Sequence, residues 1–164
     1  MKNTIQVFGL PRSGTNFLEW SIIEYFDGIK YVNIYEICDV SGLNIFGNKA
    51  AVKHSLPKLK YSDHIVVIYK DFERWSKSYK KWSKREPKKE IWEKYLKKSS
   101  EIDVKRCLII SHDELVSNYK ETLIKISRKF NLPLKNKPII KPEGYFNRGG
   151  AKSQPIKNKI YNHE

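Results

Sequence analysis

Short apolar runs alternate with longer stretches of helical spacing along this chain. Thr4–Phe8 is β-rich, His64–Tyr69 (HIVVIY) is almost purely apolar and β-branched, and residues 106–111 (RCLIIS) repeat that character; each reads as a buried strand. Residues 31–37 form a β-rich run with polar positions interleaved. Residues 50–54 form a short apolar run that reads as a second parallel strand, which Pro57 prevents from extending far. Between these runs the period changes. Leu18, Ile22, Ile23 and Phe26 predict a helix over 14–27, ended by Asp27 and Gly28. Trp75, Tyr79 and Trp82 share a face over 72–82. After Pro87, Ile91, Trp92, Tyr95 and Leu96 predict a helix over 88–98, and Leu115, Leu123, Ile126 and Phe130 predict one continuous helix over 113–130, closed by Asn131 and Pro133. Residues 40–48 and 134–164 read as loop, the latter with at most one short turn of helix. With no internal repeat or low-complexity linker, residues 1–164 form a single domain.

Strands alternating with helices predict an α/β fold with a parallel sheet covered on both faces. Ligands of such sheets sit beyond the carboxyl ends of the strands. The ends named by this reading are Gly9, Lys53 with His54, Lys70, and Ser111 with His112.

The first of these ends is the most informative. Gly9-Leu10-Pro11-Arg12-Ser13-Gly14 lies between a strand and a helix, so backbone N–H groups and the positive end of the helix point at one place, which suits a phosphate. Arg12 adds a full charge, and Ser13, Thr15 and Asn16 add side-chain donors. The Gly9 to Gly14 spacing is that of a Walker A loop, but Thr15 stands where nucleotide-hydrolysing proteins carry Lys. An ordinary strand-to-helix turn is the plainer alternative.

Charge widens the picture. Lys and Arg outnumber Asp and Glu by 32 to 18, a net charge of +14, which attracts polyanions of several kinds. Most lysines of 77–98 read as a solvated helix face. Cys38 and Cys107 have no metal-ligand spacing and read as buried free thiols, suited to a reducing compartment. No run approaches the roughly 18 apolar residues of a membrane span, and no signal peptide opens the chain, so a soluble cytoplasmic protein is expected.

Four motifs in order resemble the sulfotransferases that use 3′-phosphoadenosine 5′-phosphosulfate (PAPS). Pro11-Arg12-Ser13-Gly14-Thr15 resembles their 5′-phosphosulfate loop. Lys70 and Ser78, eight positions apart, resemble the strand-end basic residue and helix Ser that hold the 3′-phosphate, with Lys in place of the usual Arg. Phe146-Asn147-Arg148-Gly149-Gly150 is similar to the late Phe-x-Arg-x-Gly turn that also binds the 3′-phosphate. The stretch 108–115 is similar to a strand followed by Tyr-Glu-Asp-Leu, with His112 at the adenine-contacting Tyr; an imidazole there either stacks on adenine or packs at a helix start. Phe17 occupies the position of an adenine-stacking Trp, a core Phe being the alternative.

The resemblance implies a three-layer P-loop NTPase-like fold and an unusually short member of the family. It implies transfer of a sulfonate from PAPS to an acceptor hydroxyl or amine, releasing adenosine 3′,5′-bisphosphate, without a metal. Arg12 would polarise the phosphosulfate, and residues 13–16 would cradle the 5′-phosphate. Ala51-Val52-Lys53-His54-Ser55-Leu56-Pro57 is similar to a Lys-Thr-His-Leu-Pro strand end in which Lys holds the sulfonate and His is the general base. Glu36 is the other candidate base, after branches that use a Glu before this strand. A glycan or small molecule is the favoured acceptor, and nucleic acid is not expected as a partner. Two other classes compete: a P-loop nucleotide kinase or hydrolase, and a non-enzymatic basic module for nucleic acid using Trp75, Trp82 and Trp92.

Overall fold

The computed structural model describes residues 4–31, 54, 56, 57 and 59–142. Four parallel strands, β1 (Thr4–Phe8), β2 (Lys30–Tyr31), β3 (His64–Tyr69) and β4 (Cys107–Ser111), form one sheet in the order β2-β1-β3-β4. The helices are α1 (Thr15–Tyr25), α2 (Phe72–Ser83), α3 (Lys89–Ser100), α4 (His112–Ser117) and α5 (Tyr119–Phe130). The strand alternation divides the apolar side chains between two cores. On one face Ile5, Val7, Val66, Ile68 and Ile110 meet Phe17, Leu18 and Ile22 of α1 and Leu123 and Ile126 of α5. On the other, Phe8, Ile65, Val67 and Cys107 meet Tyr95 of α3. The molecule is therefore α/β, with helices on both faces of a parallel sheet.

Strand and helix positions follow the apolar spacing closely, with two corrections. The helix expected over 113–130 is two helices, broken at Asn118 (φ −128°, ψ 52°). Ser111 starts α4 by accepting the Glu114 N–H at 3.0 Å. Thr122 Oγ1 bridges the break, shared between Asn118 O at 2.8 Å and Glu114 O at 3.1 Å, carbonyls that also accept the Thr122 and Asn118 N–H groups. Leu115, Tyr119, Leu123 and Ile126 keep one helical spacing across the break and all lie in the core. The strand expected over 50–54 lies outside the described residues except for His54, which has 3₁₀ rather than extended conformation. Residues 32–37 of the run expected to be β-rich are likewise outside them.

The two ends of the sheet are built differently. At the amino end, Asp63 accepts from the Thr4 N–H and hydroxyl, and the Arg106 guanidinium donates to the carbonyls of Leu59, Ser62 and Asp63. Those groups saturate one another. The carboxyl end carries the Gly9–Gly14 loop and the cations described below. After α5 residues 131–142 run as loop along α1, as expected for 134–142, the rest of that stretch lying outside the described residues: Asp27 N–H donates to Pro133 O, and Tyr25 Oη donates to Ile140 O at 2.7 Å and accepts from Ile140 N at 3.1 Å. Cys107 is a buried free thiol whose pKa burial pushes up to about 11, so it is inert at neutral pH; Cys38 lies outside the described residues. No helix among the described residues is long and apolar enough to cross a membrane.

Phe17 is the keystone of the larger core, fully buried and stacked on Tyr119 at 5.4 Å between ring centroids. Phe17→Ala will lower unfolding free energy by about 3–5 kcal/mol, the range for losing a buried Phe, as measured by denaturant titration.

Candidate functional site

The loop between β1 and α1 is a tight turn with an unusual residue in it. Ser13 N–H donates to Leu10 O at 3.1 Å, Pro11 presets the second position, and Arg12 sits third with φ 71°. That is the arrangement of a type II turn, whose third position normally holds Gly or Asn. An Arg there costs about 1–2 kcal/mol of backbone strain. The chain thus accepts strain to place a guanidinium at this point.

Neighbouring elements fix the loop from several sides. A Cβ on Gly9 would stand 2.6 Å from Ile68 O and 2.9 Å from Thr15 Cγ2, so β3 and α1 close on the backbone there. Gly14 has φ 96°, and a Cβ on it would stand 2.6 Å from His112 Cδ2; both conformation and space demand glycine. The Trp75 indole N–H donates to Pro11 O at 2.9 Å. His54 Nδ1 lies 2.8 Å from Gly9 O. Since the carbonyl can only accept, Nδ1 of His54 carries a proton. Gly14 caps α1 without a side chain, and the first turn of α1 holds no acidic residue. Ser13 and Thr15 are buried beneath the turn and Asn16 is half-buried.

Cations gather around this turn. Lys70 follows β3, and its carbonyl is held by the Trp92 indole N–H at 2.9 Å. Burial, then the nearby Arg12 and Arg74 charges, push the Lys70 ammonium down to about 8, against a smaller pull from Asp71. Burial, Lys70 and Arg74 together push His112 down to about 4, so it is a neutral imidazole at physiological pH. The nearest carboxylates are committed elsewhere: Asp71 accepts the Arg74 N–H as the cap of α2, and Asp113 is ion-paired with the Arg74 guanidinium. Among the described residues the Lys70 ammonium has no carboxylate within ion-pair distance. A half-buried Lys thus stands beside two Arg at the mouth of the loop, a strongly positive environment.

Of the residues singled out in the sequence, Arg12, Ser13, Gly14, Thr15, Asn16, Lys70, His112 and His54 meet at this end of the sheet. His112 packs edge-on beneath Gly14, which favours the packing reading over an exposed stacking platform. Phe17 is a core side chain with no exposed ring surface, so the adenine contact expected of it is not available. Ser78 is half-buried on α2, and its hydroxyl makes no hydrogen bond among the described residues. Lys53, Glu36, Arg148, Gly149 and Gly150 lie outside the described residues. Sequence reasoning missed Arg74, Trp75 and Trp92 as parts of the site. The signal for Arg74 was present: with Asp71 as the cap, Arg74 falls in the first turn of α2, next to the strand end. No family model matches this chain, and no curated protein or solved structure matches it.

Two outcomes follow from the geometry. Arg12→Gly relieves the turn and raises stability by about 1 kcal/mol, read by denaturant unfolding. His112 takes up its proton only below its ordinary value, so the unfolded chain binds that proton first as pH falls. Stability therefore drops between about pH 6.5 and 4, by up to ~3 kcal/mol, and His112→Gln shows a shallower decline over that window.

Proposed function

We propose that this chain is a short P-loop-type sulfotransferase that binds PAPS at the carboxyl end of its sheet. The observation that carries the reading is the convergence of Arg12 and Lys70, far apart in sequence, on one turn. Charge-assisted binding of phosphate oxygens by these two side chains and Arg74 offsets the burial and the neighbouring positive charges that depress Lys70. Bound there, PAPS supplies a sulfonate whose bond to the 5′-phosphate oxygen breaks as an acceptor oxygen or nitrogen bonds to sulfur, adenosine 3′,5′-bisphosphate leaving with the electron pair.

The protein's own part is positioning, neutralisation and proton removal. Arg12 faces the charge that develops on the leaving phosphate side. His54, oriented by the Gly9 carbonyl, receives the acceptor proton at Nε2, in the manner of a general base held by a hydrogen bond at its other nitrogen. Its tie to the loop itself is what favours His54 over Glu36 in that role. The Lys at position 70 supplies charge without the two-pronged grip of Arg, so its contribution follows its protonation state.

Thermal-shift titration tests the donor site. Adenosine 3′,5′-bisphosphate should raise the melting temperature more than AMP or ATP, and Lys70→Ala or Arg148→Ala should remove that preference; an equal response to AMP sinks the 3′-phosphate assignment. A second measurement uses pH. Because Lys70 is charged only below about 8 in the free protein, affinity for the bisphosphate should decline as pH rises through that value, and Lys70→Arg should flatten the profile. His54→Ala should leave bisphosphate binding intact while abolishing sulfonate transfer.

A further inference from the structure

Beside the loop lies a cleft of about 510 Å³ lined by Leu10, Pro11, Trp75, Tyr79, Arg85, Glu86, Lys88 and Ile91. It opens between α2 and α3, shares Leu10 and Pro11 with the anion-binding turn, and has the volume of a pocket that holds a ligand of one or two rings. Its wall is apolar: Tyr79 stacks on Trp75 at 5.1 Å, Leu10 and Pro11 form one side, and Ile91 is half exposed on the other. Its rim is cationic. The Glu86 carboxylate is already ion-paired with Lys80, whereas Arg85 and Lys88 have no ion-pair partner among the described residues. Residues 77–98 around it carry ten Lys or Arg against three Glu, half of the chain's net charge of +14.

We infer that this cleft binds an acidic saccharide, a sugar chain bearing carboxylate or sulfate groups; on the sulfonate-transfer reading above, that saccharide is the acceptor. A pyranose ring offers a C–H face to an aromatic and aliphatic wall, and hydroxyls to the turn next door. Its anionic substituents pair with Arg85 and Lys88, which the fold leaves uncompensated. Single-stranded nucleic acid fits less well. Bases need open ring faces in series, but Trp75 is buried with its N–H committed to Pro11, and Tyr79 is stacked upon it; among the described aromatic side chains only Trp82 is widely exposed.

Isothermal titration of the full chain tests the assignment with three probes of matched length: a uronate- and sulfate-bearing tetrasaccharide, a neutral tetrasaccharide and an oligodeoxythymidylate. The acidic tetrasaccharide should bind most tightly. The doubly substituted R85A/K88A protein, altered only at exposed side chains, should bind it about tenfold more weakly, a loss of roughly 1.4 kcal/mol. Its thermal response to adenosine 3′,5′-bisphosphate should be unchanged, which separates the cleft from the donor site. Equal or tighter binding of the oligonucleotide, equal binding of the neutral sugar, or undiminished affinity in R85A/K88A would each overturn the proposal. If the bisphosphate response fails while acidic-sugar binding and its loss in R85A/K88A persist, the cleft assignment stands and the donor reading falls.

Discussion

Burial of the Lys70 ammonium beside Arg12 and Arg74 is the constraint around which the carboxyl end of this sheet is arranged. Taking the ammonium out of water is unfavourable, the two nearby guanidinium charges add to that, and Lys70 registers the cost as a depressed pKa. The fold tolerates this because other contacts hold the pieces: β3 fixes Lys70, the cap at Asp71 fixes Arg74, and indole hydrogen bonds anchor both the loop and the strand end. Asp113 compensates Arg74 alone. The contrast with the opposite end of the sheet is instructive, since Asp63 and Arg106 there bond to Thr4 and to the carbonyls of Leu59, Ser62 and Asp63.

Backbone strain points the same way. Arg12 with positive φ is a local rule broken within a region that otherwise obeys its turn chemistry, with Pro11 and Gly14 where the geometry needs them. Such violations persist where the surrounding structure over-determines them, and they gather at functional positions. Here the over-determination is visible in the contacts at Gly9 and Gly14, which leave the loop one path between β3, α1 and the His112 ring.

Much of this was legible beforehand. The runs at Thr4–Phe8, His64–Tyr69 and around Ile109 announced parallel strands because they are short, apolar and β-branched, and the loop announced itself by its glycines. Lys70 and Arg12 were found because strand ends are where such folds bind ligands. What escaped the sequence were properties created by tertiary contact. The break at Asn118 is a backbone feature: Leu115, Tyr119, Leu123 and Ile126 keep one helical spacing across it, so periodicity does not report it. Phe17 became a core residue through its partner Tyr119, roughly a hundred positions away. His54 was singled out as a strand end, yet its place beside the loop comes from a hydrogen bond to Gly9 O while its backbone is 3₁₀. The cationic rim of the cleft was hidden in a lysine-rich stretch whose residues look alike until the fold separates Arg85 and Lys88 from their neighbours.

The two indole hydrogen bonds have a spectroscopic consequence. Of the four tryptophans, Trp75 donates to the carbonyl of Pro11 and Trp92 to that of Lys70, so two of the chain's strongest fluorophores are attached directly to the turn and to the strand end that frame the cationic centre. Indole emission depends on what its N–H meets and on local polarity. The protein therefore carries an intrinsic optical gauge of this region, sensitive to changes in backbone position and local field without any added label.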